Sequence, residues 1–389
     1  MKKILLLNKI SSRGLNLFAQ DEYDLSEAHS DPDGILVRSE KMHEINVGKS
    51  LLAVARAGAG VNNIPVERYS EKGIVVFNTP GANANAVKEL TLAALFLAAR
   101  DIIGGISWMN ELKGKDLAQT VEKEKNRFAG VELKGKTLGV IGLGSIGGKV
   151  ASAAASSAIG MNVIGYDPFL SVEGAWNLSH AVRAASGYEE IFKTCDFITL
   201  HLPVTEANIG MIGKKIFSMM KDGVRLINLS RAELVDSYAL KEAIMHGKVA
   251  KYITDFPTED MVGIKEVITI PHLGASTEES EENCAVFAAK ELIDYFENGN
   301  ICNSVNYPNV SWKRISSLRL CVLHRNIPTL LSQISAAVAD GKINIAHMTN
   351  ASKGDLAYTI ADLDAPTLSE VLLNRIRSIE GVIRVRTIY

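Results

Sequence analysis

The sequence predicts an α/β protein with two doubly wound parallel sheets followed by a small βαββαβ domain, and three observations carry that prediction. Short, continuously apolar runs alternate with helical segments up to Gly299. A Gly-x-Gly-x-x-Gly turn, Gly142 to Gly147, separates one such run from a small-residue helix. The tail then changes rhythm to strand, helix, two strands, helix, strand. Strands covered on both faces lose the in–out alternation of half-exposed ones, and repeated strand–helix units build parallel sheets.

In chain order, strands are expected at residues 4–7, 34–37, 51–55 and 75–77, followed by a buried alanine- and leucine-rich helix over 87–99. A second series of strands covers 137–141, 162–166, 197–200, 225–228, 251–254 and 267–270, with helices between them. A long helix over 278–297 runs to Gly299-Asn300. Residues 303–313, with Pro308 and asparagines on either side, read as a linker. Strands at 318–324, 343–348, 355–361 and 382–388 and helices at 329–339 and 368–379 then give the ferredoxin-like order.

Bulk properties narrow the function. The 389 residues are 47% hydrophobic and 22% charged, with a net charge of −2 and no long block of one sign. Generic nucleic-acid binding needs a concentrated basic surface and is not expected. A small anionic substrate remains compatible, because local arginines rather than net charge would hold it. The apolar run Ile4 to Leu7 is too short for a signal-peptide core, and no stretch has the roughly 18 apolar residues of a membrane span. Cys195, Cys284, Cys302 and Cys321 are scattered and lack metal-ligand spacing, so they read as reduced thiols of a cytoplasmic protein without a metal site.

The turn Gly142-Leu143-Gly144-Ser145-Ile146-Gly147 follows the run Leu138 to Ile141 and opens a helix, and Asp167 stands twenty residues after Gly147 at the end of the next strand. That context makes the turn a dinucleotide fingerprint. Gly142 gives the tight turn, Gly144 lets backbone approach the pyrophosphate, and Gly147 lets helix and strand pack closely. Ser145 and Ile146 bring the helix N-terminus, with its free N–H groups, to the phosphates. Asp167 can accept from a ribose 2′-OH and would repel a 2′-phosphate, which favours NAD over NADP. Asp255, at another strand end, is read as a further cofactor contact.

Arg231, Glu259 and His272 each follow a strand of the second series. Ligands of open α/β sheets bind at the carboxyl ends of the strands. A histidine there can take a hydroxyl proton near neutral pH, a carboxylate on its far nitrogen can fix the tautomer, and an arginine fork can hold a substrate carboxylate.

These strings, with Ala57-Gly58-Ala59-Gly60-Val61-Asn62-Asn63-Ile64, Asn78-Thr79-Pro80-Gly81-Ala82-Asn83, Asn228-Leu229-Ser230-Arg231 and Pro271-His272-Leu273-Gly274-Ala275-Ser276-Thr277, resemble the D-isomer-specific 2-hydroxyacid dehydrogenases over nearly the whole chain. The resemblance implies that Arg231, Glu259 and His272 are the catalytic trio. Within the family, the last string and the tail are most similar to members that oxidise 3-phosphoglycerate in serine biosynthesis. Two departures stand out. Ala232 replaces the family's glycine after the arginine. The string Asp255-Phe256-Pro257-Thr258-Glu259-Asp260 is one residue shorter than usual between aspartate and glutamate, and lacks the usual Glu-Pro ending. Asp260 therefore competes with Glu259 as the histidine's partner.

For the substrate, the small residues Gly58, Ala59 and Gly60 let backbone N–H groups reach a carboxylate, and Asn83 is counted with them. Arg38 and Arg56 follow neighbouring strands and match the family's basic positions for a phosphate, and Arg127 is a third candidate. Residues 315–389 resemble an ACT domain, the amino-acid-binding ferredoxin-like module. In serine-inhibited members the positions of His324, Asn326 and Asn344 bind L-serine, although Thr329 here replaces a glycine.

The resemblance thus implies a substrate-binding lid of residues 1–92 and 277–303, a Rossmann-like NAD domain of residues 93–276, a linker of residues 304–314, an ACT domain of residues 315–389, and a homodimer or homotetramer. Closure of the lid would exclude water from the hydride transfer. Two alternatives stay open: a dehydrogenase for another D-2-hydroxy acid, such as hydroxypyruvate or 2-hydroxyglutarate, and a corepressor-like protein that senses NAD.

Overall fold

The computed structural model describes residues 1–112 and 116–389. They form two compact units, Met1–Asn83 together with Glu278–Tyr389, and Ala84–Thr277.

The first unit opens with five parallel strands, β1 (Lys2–Leu7), β2 (Tyr23–Ser26), β3 (Gly34–Val37), β4 (Ala53–Arg56) and β5 (Val75–Phe77), in the order β2-β1-β3-β4-β5. The central β3 is buried along its whole length, which is why it reads as an uninterrupted apolar run. The edge strand β2 has only Tyr23 buried and carries no apolar run.

The second unit holds seven parallel strands: β6 (Thr137–Ile141), β7 (Asn162–Tyr166), β8 (Val182–Ala184), β9 (Phe197–Leu200), β10 (Val224–Asn228), β11 (Val249–Thr254) and β12 (Val267–Thr269). Their order is β12-β11-β10-β9-β6-β7-β8. Read from β6, this is the doubly wound arrangement of the Rossmann type, whose chain reverses direction between β6 and β9. The helix Ala84–Ala99 belongs wholly to this unit, burying Val87, Ala94, Leu95 and Ala98 with Leu138, Val140, Ile227 and Ile253. The expected boundary after residue 92 therefore falls inside a helix and is corrected to Asn83/Ala84.

The tail forms an antiparallel sheet of β13 (Leu318–Arg325), β14 (Ile345–Lys353), β15 (Leu356–Leu363) and β16 (Val382–Ile388), ordered β14-β15-β13-β16, with helices Leu330–Asp340 and Glu370–Arg377. This is the expected ferredoxin-like layout. One of its faces shares a core with the five-stranded sheet: Cys321, Leu323, Tyr358 and Ile360 lie in one apolar cluster with Ile4, Phe77, Tyr295 and Phe296. Polar contacts reinforce the joint. The Tyr358 hydroxyl donates to the Gly299 carbonyl at 2.6 Å, and Arg384 donates to the Leu51 carbonyl. Arg319 is fully buried, paired with Asp362 at 2.6 Å, and also donates to the Asn298 carbonyl at 2.7 Å.

Residues 304–314 are therefore not a free linker. Val305 N–H donates to the Val76 carbonyl, and the Asn306 side chain accepts from Val76 N–H and donates to the Ile74 carbonyl, both at 2.9 Å. An asparagine amide here does the pairing that a strand backbone would otherwise do, so a loop-like composition hides an ordered segment. No single helix among the described residues is long and apolar enough to cross a membrane.

Candidate functional site

The glycine turn follows β6. Gly142 has φ +89°, and a Cβ on it would lie 2.3 Å from the His201 carbonyl oxygen. A Cβ on Gly147 would lie 1.9 Å from the Gly142 oxygen, so neither position admits a side chain. Gly144 differs, because nothing lies within 4 Å of its added Cβ: that glycine faces open space that a ligand can enter. The turn borders a cavity of about 780 Å³, lined among others by Gly144, Ser145, Lys149, Asp167 and Phe169. Asp167 accepts from Leu143 N–H and Phe169 N–H, both at 2.9 Å, which holds the carboxylate at the end of β7 beside the turn. Ile146 caps the helix Gly147–Ala154. The cradle fits a dinucleotide: bare backbone for the pyrophosphate and a carboxylate for the ribose.

The loops after β10, β11 and β12 bring together Arg231, Asp255, Phe256 and His272. Asn228, fully buried at the end of β10, shapes the first loop: its amide donates to the Arg231 carbonyl at 2.8 Å and accepts from Ser230 and Arg231 N–H. The Phe256 ring is the spacer, with the Arg231 guanidinium 5.4 Å from its centroid and the His272 ring at 4.6 Å. His272 has φ +48°, a region that non-glycine residues seldom occupy and that functional sites favour. Its N–H donates to the Asp255 carbonyl at 3.0 Å. The buried Asp255 carboxylate accepts from Gly274 N–H at 3.0 Å, and its other oxygen has no partner among the described residues. Burial pushes this carboxyl above the usual range, against the pull of Gly274 N–H, His272 and Arg231.

Glu259 does not join this group. It is exposed and has no hydrogen-bonding or ionic partner among the described residues. Asp260 does not join it either: it pairs with Lys241 at 2.7 Å and accepts from the Thr258 hydroxyl, contacts that hold its carboxyl down at about 2. Asp255 is the acidic residue whose contacts reach the turn that carries His272.

In the first unit, Arg38 and Arg56 sit at adjacent strand ends, where Arg56 Nε donates to the Arg38 carbonyl at 3.0 Å. Arg38 is ion-paired with Glu281 at 2.5 Å. The loop of Gly58, Ala59 and Gly60 is fixed by two contacts: Thr79 N–H donates to the Gly58 carbonyl at 3.1 Å, and the Asn78 amide donates to the Ala59 carbonyl at 2.5 Å. Asn83 closes the same stretch as the last residue before the chain passes to the second unit. Arg127 lies in the second unit on the turn Lys125–Phe128, paired with Glu124 at 3.3 Å.

A model of the NAD-binding domain of D-isomer-specific 2-hydroxyacid dehydrogenases matches residues 92–274, a span holding the glycine turn, Asp167, Arg231, Asp255 and His272. The D-3-phosphoglycerate dehydrogenase of Methanocaldococcus jannaschii is 35% identical over 349 residues, covering 87% of this chain and 63% of its own length. Over those residues the chain is similar to the D-isomer-specific 2-hydroxyacid dehydrogenases. The human D-3-phosphoglycerate dehydrogenase is 37% identical over 290 residues, 71% of this chain and 51% of its own. The chain thus spans between about half and somewhat under two thirds of those two relatives' length. Among solved structures, the NAD⁺-bound 3-phosphoglycerate dehydrogenase of Entamoeba histolytica aligns with a TM-score of 0.61 at 29% identity, over 78% of this chain and 98% of its own.

Phe256 and Asn228 also shape the site; both stand in strings that the sequence singles out, but neither carries a reactive group that would signal its part. In the tail, the His324 ring is buried and used on both sides, Nδ1 with the Arg325 carbonyl at 2.8 Å and Nε2 with the Thr359 hydroxyl at 2.9 Å. Asn326 donates to the Gly354 carbonyl at 3.1 Å and Asn344 to Asp364 at 2.6 Å, and both are exposed or half-exposed. Thr329 has φ +66°, so a threonine occupies the left-handed conformation that glycine favours.

Proposed function

We propose that the chain oxidises 3-phosphoglycerate to 3-phosphohydroxypyruvate with NAD, acting in the cytoplasm at the start of serine biosynthesis. The carrying observation is the gathering of Arg231 and His272 around Phe256, at the carboxyl ends of the strands whose sheet also carries the glycine turn. In this reading His272 takes the proton of the substrate's C2 hydroxyl as C2 gives up a hydride. Arg231 holds the carboxylate and draws electron density from the C2 oxygen as the carbonyl forms. NAD, when bound, accepts the hydride. Gly58, Ala59 and Gly60 offer backbone N–H groups to the acid, with Asn83 beside them, and Arg38, Arg56 and Arg127 serve the phosphate.

The test follows NADH oxidation with 3-phosphohydroxypyruvate, hydroxypyruvate and 2-oxoglutarate side by side. The phosphorylated substrate should have the highest kcat/KM. R38A and R56A should raise its KM tenfold or more, roughly what the loss of one charge-assisted hydrogen bond costs, and leave hydroxypyruvate little changed. One observation favours the second reading, a dehydrogenase of an unphosphorylated 2-hydroxy acid: Arg38 is already neutralised by Glu281, and a phosphate would have to displace that partner. Equal effects of both arginine variants on phosphorylated and unphosphorylated substrates would select it.

The reading extends to L-serine as an effector at Asn326 and Asn344, whose amides can meet a carboxylate and an ammonium, with His324 supporting the strand beneath them. Saturating serine should lower activity or raise the melting temperature. The reading also includes a homodimer or homotetramer, which light scattering on the intact protein would identify.

A further inference from the structure

We propose that the polar cavity where β5, residues 303–309 and the end of β14 meet binds a small anion, a phosphate or a dicarboxylate without an ammonium group, with Lys353 as its cation. The cavity has a volume of about 640 Å³, and its polar lining is Asn78, Asn303, Ser304, Asn309, Ser352 and Lys353. That is room for a small metabolite. All of these residues lie in the first unit. None is among the proposed substrate, cofactor or serine positions, so the inference does not depend on the functional reading.

The chemistry of the lining selects the charge. Among the described residues Lys353 is the one charged side chain that lines the cavity, and no acid does. Its ammonium has three donors. One goes to the Ser304 carbonyl at 3.0 Å, and no ion pair takes the others among the described residues. The amides and hydroxyls beside it can also donate to an anion. Glu291 is bonded to the wall, where it accepts from the Asn303 amide at 3.0 Å. Burial pushes its carboxyl up to about 8, so near neutral pH it is mostly protonated and adds little negative charge. An amino acid would bring an ammonium for which the lining offers no carboxylate. The wall is also preformed: Ser304 and Tyr307 are buried, and the Ser304 hydroxyl accepts Tyr307 N–H at 3.1 Å. It reaches the small-residue loop through one residue. Asn78 N–H donates to the Asn303 carbonyl at 3.4 Å, and the Asn78 amide donates to the Ala59 carbonyl at 2.5 Å. An anion that draws the Asn78 amide toward itself would release that carbonyl, so occupancy of the cavity is felt at residues 57–60.

The experiment is hydrogen–deuterium exchange of the full-length protein, read by mass spectrometry, with inorganic phosphate, succinate or L-alanine added, for the parent, K353M and K353R. Phosphate or succinate should slow exchange in the peptides covering residues 303–310 and 351–353 and alter it over 57–60. K353M should raise the anion concentration needed by about tenfold or more, the usual cost of losing a charge-assisted hydrogen bond. K353R, which keeps the charge, should restore most of the response. Whichever anion acts at the lower concentration names the headgroup. The proposal is overturned by no slowing over 303–310 with either anion, by slowing confined to the peptides of Arg38 and Arg56, by an undiminished response in K353M, or by an equal response to L-alanine. Lys353 is exposed, so the variants should fold, and the parent arms decide even where one does not. No substrate is needed, so a protein inactive on every 2-hydroxy acid would overturn the functional reading and leave this test intact.

Discussion

Two histidines, each at the end of a strand, separate the second unit from the C-terminal sheet. His272 follows β12 with its ring exposed, its backbone in a strained region and no hydrogen bond to its ring nitrogens among the described residues. His324 ends β13 with its ring buried and both nitrogens occupied, and burial pushes its pKa down. The sequence around each resembles a functional motif. What distinguishes them is spare bonding capacity. A histidine whose two ring nitrogens are both bonded inside the protein is part of the scaffold, whereas the His272 ring, laid against Phe256, keeps both nitrogens available.

The sharpest way to break this comparison is to remove each ring. H272A should lower kcat by about 10²- to 10⁴-fold, the usual worth of a general base, with little change in melting temperature. H324A should do the reverse, costing about 1–3 kcal/mol of stability by removing a buried ring bonded to the Arg325 carbonyl and the Thr359 hydroxyl, with kcat largely kept. Comparable activity losses in both variants, read by steady-state kinetics and thermal unfolding, would erase the distinction.

A smaller effect concerns Glu291, a nearly buried carboxyl on the helix Glu278–Asn298. One oxygen accepts from the Asn303 amide at 3.0 Å and the other has no partner among the described residues, and burial pushes the group up to about 8. Because the folded state holds this proton more tightly than the unfolded one, its contribution is fully present below the ordinary carboxylate range. It is lost as pH rises toward about 8, at up to about 1.4 kcal/mol per pH unit. E291Q should therefore match the parent near pH 4 and exceed it in stability at pH 9, as followed by urea unfolding. Parallel pH profiles for the two proteins would sink this account.

The smallest expected effect is at Thr329. T329G should raise stability by about 1 kcal/mol, the order of the penalty a non-glycine residue meets in the left-handed region. If instead Thr329 is held by more than local geometry, for example by the bond its hydroxyl accepts from Gln333 at 3.1 Å, the gain vanishes.

The same comparison shows how far the sequence could be read. The parallel sheets and the glycine turn were legible because fully covered strands and a turn that excludes side chains leave unmistakable patterns, as β3 and Gly147 do. The edge strands β2 and β8 were not, because with one or both faces wet they lack an apolar run. Residues 304–314 were misread because Asn306 pairs with a strand through its side chain. Glu259 was assigned by motif, and it lies exposed in the loop after β11. Loop length acts on direction in space, which residue identity alone does not encode.

Leu323, Tyr358 and Ile360 face the same apolar cluster as Phe77 and Tyr295, so the last seventy-odd residues cannot be peeled away without wetting the centre of the first unit. A chain shortened after residue 314 would expose Ile4, Phe77, Tyr295 and Phe296 to water. The tail shares its core with the scaffold that carries Arg38 and Arg56, and substitutions on either side of that seam will be felt on the other.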